Sequence, residues 1–253
     1  MKIIAITQAR TGSTRLPNKI MKKIKDKTLL NIHINRIKKA KVIDSIIIAT
    51  TNKIDDDVIE NTAKELNVNC YRGDENDVLD RFYQAVKKEK PDYIIRLTSD
   101  CPLIDGSLID ILVKKTIESN VDYCSNTLIE SFPDGQDIEV FTFKSLEKAW
   151  KEATLLSERE HVTPYIKKNS TFNNINTFKS INISSDNLEY ENVRMTVDEL
   201  NDFKVISKLI EKLGEEDNWE NYAELYLKDS EINKINKNIV RNEGYLRSIK
   251  KDN

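Results

Sequence analysis

Three short runs rich in isoleucine, 3–7 (IIAIT), 45–50 (SIIIAT) and 93–97 (YIIRL), constrain this chain more than any other feature. Strands that are apolar at nearly every position are buried on both faces, which requires helices above and below them. The segments between the runs have the spacing of such helices. Residues 28–40 place Leu29, Leu30, Ile32, Ile37 and Ala40 among Lys, Arg and Asn, and residues 56–67 place Val58, Ile59, Thr62, Ala63 and Leu66 near one face. Residues 77–88 (Val78, Leu79, Phe82, Tyr83, Val86) and 107–118 (Leu108, Ile109, Ile111, Leu112, Ile117) repeat the pattern. The alternation predicts a doubly wound α/β unit with a mainly parallel sheet.

The middle of the chain reads differently. Residues 121–142 hold strand-like pieces around a Phe-Pro-Asp-Gly turn. Helices are expected at 144–154 and 158–168, and irregular or edge structure over the Asn- and Ser-rich segment 170–191. A strong helix runs from Glu199 to Leu213 and stops at Gly214. The tail, 215–253, is charged, but Trp219, Tyr222, Leu225, Tyr226 and Ile232 predict docked helix.

Composition excludes several classes. Lys+Arg 40 against Asp+Glu 42 gives a net charge of -2, without the basic excess of a general nucleic-acid or membrane-surface binder. No apolar run approaches the length of a membrane-spanning helix. The start, MKIIAITQAR, breaks at Gln8 and Arg10 and lacks a cleavage site, so it reads as a first strand rather than a signal peptide. Cys70, Cys101 and Cys124 are odd in number and widely spaced, which fits neither a disulfide framework nor a zinc site and predicts a reduced, cytoplasmic protein. With only His33 and His161, a histidine-rich metal site is excluded.

Open α/β sheets bind ligands beyond the carboxyl ends of their strands. The loop after the first strand, Gln8 to Lys19, has the parts of a polyphosphate cradle: Gly12 for close backbone approach, Ser13 and Thr14 for hydroxyl and N–H donors, and Arg10, Arg15 and Lys19 for charge. It contains neither GxxxxGK[ST] nor GxGxxG. Local chemistry alone leaves phosphate binding level with a solvated basic loop.

The order of these residues, QARxGSxRLPxK after an N-terminal strand, resembles the signature of the cytidylyltransferases that activate 3-deoxy-ulosonic and sialic-type sugars. The resemblance continues through AlaThrThr at 49–51, RGDENDVLDRFY at 72–83, ThrSerAspCysProLeuIle at 98–104, PheProAspGlyGlnAspIleGluVal at 132–140, SerGluArgGluHisValThrProTyr at 157–165, ArgMetThrValAspGlu at 194–199 and ArgAsnGluGlyTyr at 241–245. Together these look most like the SpsF-type branch. One departure is Thr11, where Met is commoner, with little expected consequence.

The resemblance implies a Rossmann-like three-layer αβα fold of the nucleotidyltransferase, GT-A-like type. It spans 1–214, with an acceptor-binding and dimerisation region at 127–192 and a helical tail at 215–253. It implies transfer of CMP from CTP to an acidic sugar with release of pyrophosphate, for surface polysaccharide synthesis, in a homodimer. Arg10, Lys19 and Asp100 are the expected catalytic residues. Ala9, Arg10, Gly12, Ser13, Arg15, Lys19, Thr50, Thr51 and Arg81 are the expected nucleotide contacts, and Asp134, Gln136, Arg159 and His161 the acceptor contacts. Asp100 and Asp198 would hold Mg²⁺, which takes one or two carboxylates plus phosphate oxygens and water. Read without the resemblance, Asp198 is an N-cap of the helix after it and Asp100 a turn residue before a proline. Asp55-Asp56-Asp57 reads as a helix cap rather than a metal cluster, and Cys101 and His33 as packed structural side chains. Three other readings compete. A glycosyltransferase of related fold commonly carries an Asp-x-Asp motif, whereas TSDCP has one Asp; a cytidylyltransferase for a phosphorylated non-sugar acceptor keeps the same site; and a catalytically idle partner that binds a nucleotide or stabilises another enzyme is opposed by the full set Arg10, Lys19, Asp100 and Asp198.

Overall fold

The computed structural model describes residues 1–252; Asn253, the end of the expected tail, lies outside the described residues. The chain runs β1 (Ile3–Gln8), a hairpin of β2 (Lys23–Ile24) and β3 (Lys27–Thr28), α1 (Leu29–Ile37), β4 (Ser45–Thr51), α2 (Asp57–Glu65), β5 (Asn69–Gly73), α3 (Val78–Val86), β6 (Tyr93–Thr98) and α4 (Gly106–Ser119). It continues through β7 (Tyr123–Ser125), β8 (Glu139–Thr142), α5 (Phe143–Glu152), α6 (Leu156–His161), α7 (Pro164–Lys168), β9 (Ser180–Asn182), α8 (Leu200–Leu213), α9 (Trp219–Lys228), α10 (Ser230–Asn233) and α11 (Glu243–Ile249).

The main sheet has the order β5-β4-β1-β6-β8-β7-β9. Strands β5, β4, β1 and β6 are mutually parallel, and β8 runs against both its neighbours, β6 and β7. The isoleucine runs divide between two cores as the pleat requires. Ile3, Ala5, Ile46, Ile48, Ile95 and Leu97 face one core, which α1, α2, α4, α8 and α9 cover. Ile4, Ile6, Ile47, Ala49 and Ile94 face the other, under α3, α5 and α7. Each buried isoleucine contributes about 1.5–3 kcal/mol of transfer free energy, so register slips in the central strands are strongly disfavoured. The expected three-layer α/β architecture is the one found.

One expectation is corrected. The single helix expected at 158–168 is two, α6 and α7. Val162 between them has φ 71°, and Pro164 opens α7 at a position where its missing N–H costs nothing. The segment 170–191 supplies the edge structure expected of it: β9, paired with β7. The tail is well docked: Trp219, Tyr222, Tyr226 and Ile232 are buried in the same core as β1. Arg36 of α1 ties it down, donating to the carbonyls of Ile104, Glu215 and Asp217.

Gly135 is a glycine whose backbone the fold cannot replace. It has φ 110°, and a Cβ there would lie 2.6 Å from the carbonyl carbon of Met195. Two backbone hydrogen bonds, Asp134 N–H to Val193 O and Met195 N–H to Asp134 O, press this turn against residues 193–195. That contact fixes the course of the chain toward Asp198.

Candidate active site

β1 and β6 lie side by side at the centre of the sheet, and their loops meet where the strand order reverses, the expected ligand crevice. The β1 loop is anchored by the buried Leu16 and Ile20. Asn18, in the left-handed region at φ 54°, turns the chain into the short 3-10 turn that carries Lys19. The backbone of Ala9 is hydrogen-bonded to Ala49 O, and Ser13 N–H to Thr11 O. Gly12 is exposed, and a Cβ there would meet only the Glu75 carboxylate, at 3.5 Å. The protein itself therefore leaves the space beside Gly12 open.

Asp56 holds this loop to the end of β4, a role the sequence did not reveal. It is buried, and accepts from the Thr11 N–H at 2.8 Å, the Thr11 hydroxyl at 2.7 Å and the Thr51 hydroxyl. Burial would push its carboxyl up, but these hydrogen bonds hold it below its usual value. Asp56 stands at the N-cap position of α2 without making a side-chain cap, so the expected capping role is corrected. Thr11 also matters more than expected, because a methionine could not supply the hydroxyl bond.

The centre of the site is Lys19. Its Nζ lies 2.9 Å from Asp100 Oδ2 and 2.9 Å from Asp198 Oδ1, although these carboxylates are 81 and 179 residues away in sequence. Val197 N–H donates to Asp100 O at 2.8 Å, which brings the two loops together. Burial would push the Asp100 carboxyl up, but the Lys19 ammonium holds it well below the usual carboxylate range. The two carboxylates in turn keep the buried Lys19 protonated, with its pKa raised. The alternative N-cap role for Asp198 is excluded, since Glu199 occupies that position and Asp198 instead pairs with Lys19, Arg15 and Arg194. Two convergent hard-oxygen carboxylates already share one cation, the ammonium. That donor set suits Mg²⁺ completed by phosphate oxygens and water.

Arg194 braces Asp198 from beneath. Its guanidinium contacts Asp134 at 2.6 Å, Asp202 at 2.9 Å and Asp198 at 3.3 Å, and its side chain is almost fully buried. Asp202 also accepts from the N–H groups of Asp198 and Glu199, and receives a hydrogen bond from Asn236 of the tail. This network was missed in the sequence, where Arg194 and Asp202 are two charges among many.

The remaining expected residues divide. Arg10 is exposed and paired with Glu75 at 3.3 Å; Arg15 bridges Asp198 at 2.9 Å and Glu243 at 3.1 Å. Thr50 is fully buried at the end of β4, with its hydroxyl on the same side as Asp56. Thr51 is committed to Asp56. Arg81 is 2% exposed beneath the 73–75 turn, where it donates to Asp74 O at 3.1 Å. Burial, with the charge of Arg10, lowers its pKa to about 10. It supports the turn carrying Glu75 and does not reach the surface of the crevice.

On the expected acceptor side, Asp134 is held by Arg194. Gln136 spends its amide on Asp105 N–H and Leu103 O, so it ties two loops together. Arg159 is corrected most clearly: it forms a fork on Asp77, at 3.0 and 2.5 Å, and donates to Trp150 O. His161 bonds Ser248 Oγ at 3.0 Å and lies edge-on to Tyr245. Burial and Arg96 lower its pKa to about 4. Beside it, Glu139 is buried between Arg96 and Lys167. Burial would raise the Glu139 carboxyl, but those cations hold it at about 2.

His33 and Cys101 are structural, as expected. Cys101 is buried, which pushes its thiol well up. His33 Nδ1–H donates to Cys101 O at 2.8 Å, leaving Nε2 to accept from the Thr7 hydroxyl at 3.0 Å. Burial lowers its pKa to about 4, against about 6.5 in the unfolded chain. The unfolded chain then binds more protons between these values, so stability rises with pH there. The contribution is intact above about pH 6.5 and is lost as the pH falls toward 4, by about 3 kcal/mol at 1.36 kcal/mol per unit. Urea unfolding near pH 7 and near pH 4.5 should show this loss, and His33→Gln should reduce it. A ring titration by NMR with a midpoint above 6 would contradict the assignment.

Comparison with known proteins identifies the family. The cytidylyltransferase family profile matches residues 4–209. The chain is 46% identical over 210 residues to an uncharacterized protein of Methanocaldococcus jannaschii, covering 83% of each. It is 32% identical over 218 residues to the spore coat polysaccharide biosynthesis protein SpsF of Bacillus subtilis, covering 84% of this chain and 88% of that one. A solved cytidylyltransferase from Leptospira borgpetersenii superposes with a TM-score of 0.85 at 32% identity, over 95% of this chain and 98% of that one. Among the described residues no helix is long and apolar enough to cross a membrane. The loop of cations after β1, the carboxylates gathered on Lys19 and these matches over most of the chain place it in the cytidylyltransferase family, as a CTP-dependent nucleotidyltransferase.

Proposed function

We propose that this protein transfers CMP from CTP to an acidic sugar for polysaccharide synthesis, with Asp100 and Asp198 holding Mg²⁺. The observation that carries the reading is the convergence of both carboxylates on Lys19, beside Arg10 and Arg15. An acceptor oxygen bonds to the α-phosphorus, the α–β phosphoanhydride bond breaks, and pyrophosphate leaves with the charge. Such chemistry needs positioning and charge stabilisation more than covalent help. The metal, when bound, neutralises phosphate charge. Lys19 and Arg15 would hold the triphosphate, and Arg10, more exposed, would reach its outer end. The open space at Gly12 would admit the phosphates, and the end of β4 at Thr50 would lie beside the nucleoside. With Arg159 committed to Asp77, the cations that contact the 134–139 segment are Arg194, Arg241, Arg96 and Lys167. The homodimer and the acceptor role of 127–192 remain part of this proposal.

The test is pyrophosphate release from CTP with Mg²⁺ and a panel of ulosonic acids and phosphorylated alcohols. Acceptor-dependent release with an ulosonic acid is the expected result, and Lys19→Ala should lower its rate by about a hundredfold or more. Release only with a phosphorylated alcohol would replace the acidic sugar. No release, together with transfer from a nucleotide sugar, would replace the reaction.

A further inference from the structure

The last described residues cross the face of the site. Arg241 donates to Phe132 O at 3.1 Å and Asp137 at 2.9 Å, and Asn242 donates to Glu130 at 2.8 Å. Glu243, 228 residues from Arg15 in sequence, pairs with its guanidinium at 3.1 Å. Tyr245 then packs edge-on against His161, Ser248 bonds His161 and Glu160, and Asp252 accepts from Ser157 N–H. This strap thus touches the 130–137 turn, the phosphate loop and α6 in succession. It is held mainly by polar contacts: Leu246 and Ile249 are exposed, and Ser248 is the buried residue of α11. Elements with so little buried apolar surface open readily.

Every cation of the loop has a carboxylate partner: Glu75 for Arg10, Asp198 and Glu243 for Arg15, Asp100 and Asp198 for Lys19. A bound metal would neutralise Asp100 and Asp198. Glu243 lies outside that pair, so its charge would oppose a triphosphate arriving at Arg15. We propose that Glu243 is a placeholder anion for the nucleotide's phosphates, and that CTP displaces it and so unlatches the strap 241–252 from the acceptor side of the site. The inference rests on the CTP reading above. Glu243 holds Arg15 in place while the site is empty, and its release uncovers His161 and the 134–137 turn.

Hydrogen exchange over 241–252, with and without CTP and Mg²⁺ and with no acceptor present, tests this directly, together with calorimetric CTP binding. CTP should speed exchange across the strap by about threefold or more, the scale of one lost ion pair. Glu243→Gln should speed it without nucleotide and tighten CTP binding by about threefold, whereas a merely structural glutamate would leave affinity unchanged or weaken it. CTP binding with strap exchange unchanged or slowed, or a Glu243→Gln protein that binds CTP no tighter, overturns the strap and leaves the CTP reading standing. Failure of the wild-type protein to bind CTP overturns both.

Discussion

An Asp100→Ala variant is expected to lose turnover by about three orders of magnitude, and with it the response of the rate to Mg²⁺ concentration. The fold should survive. Lys19 keeps Asp198 as a partner at 2.9 Å, so no buried charge is stranded, and Val197 N–H bonds the backbone carbonyl at 100, which alanine retains. Asp100→Asn preserves the shape and removes only the charge, so it should be equally inactive. Pyrophosphate release across a Mg²⁺ titration, alongside urea unfolding, reads both parts. An active Asn variant with an unchanged Mg²⁺ response would remove Asp100 from the metal assignment.

Arg194→Met should have the largest effect on stability, about 3–5 kcal/mol, because it leaves Asp202 and Asp134 buried without their cation. Asp202 has no exposed surface and Asp134 is nearly as enclosed. A domain of ordinary stability holds only about 5–15 kcal/mol in total, so much of the margin would vanish. The double variant Arg194→Met, Asp202→Leu should regain part of the loss, since a buried pair exchanged for apolar groups is often close to neutral. Recovery stays incomplete because Asp202 also accepts from two N–H groups at the start of α8, worth about 1 kcal/mol. A single variant within about 1 kcal/mol of wild type in urea would show that the network does not carry this load.

The features legible in the sequence are those encoded locally. The two-sided strands announce themselves as runs, and the β1 loop concentrates three cations and a glycine within a short stretch. The motifs around Asp100 and Asp198 mark them only as candidates, and their meeting on Lys19 depends on the pairing of Val197 with Asp100. The misread residues share one cause. In a chain with 40 basic and 42 acidic residues, nothing local marks which charges are buried or whom they meet. Arg159 looked available to an acceptor until Asp77, 82 residues away, proved to hold it. Asp56 looked like a cap because it precedes a helix, yet its carboxylate turns to Thr11 and Thr51. Glu243 could not be tied to Arg15 by any periodicity.

The docking of Asn236 under Arg194 and Asp202 bears on how the protein is made. The loop after β1 leaves the ribosome well before Asp198 and its brace, and the Asn236 amide that completes the bonds to Asp202 follows later still. A chain emerging from the ribosome would fold its first strands and helices early, as domains begin to do during synthesis. Asp202, already held by Arg194 and by the N–H groups of Asp198 and Glu199, would gain its last partner only when Asn236 had emerged. The full brace beneath Asp198 would thus be in place only once residue 236 had left the ribosome.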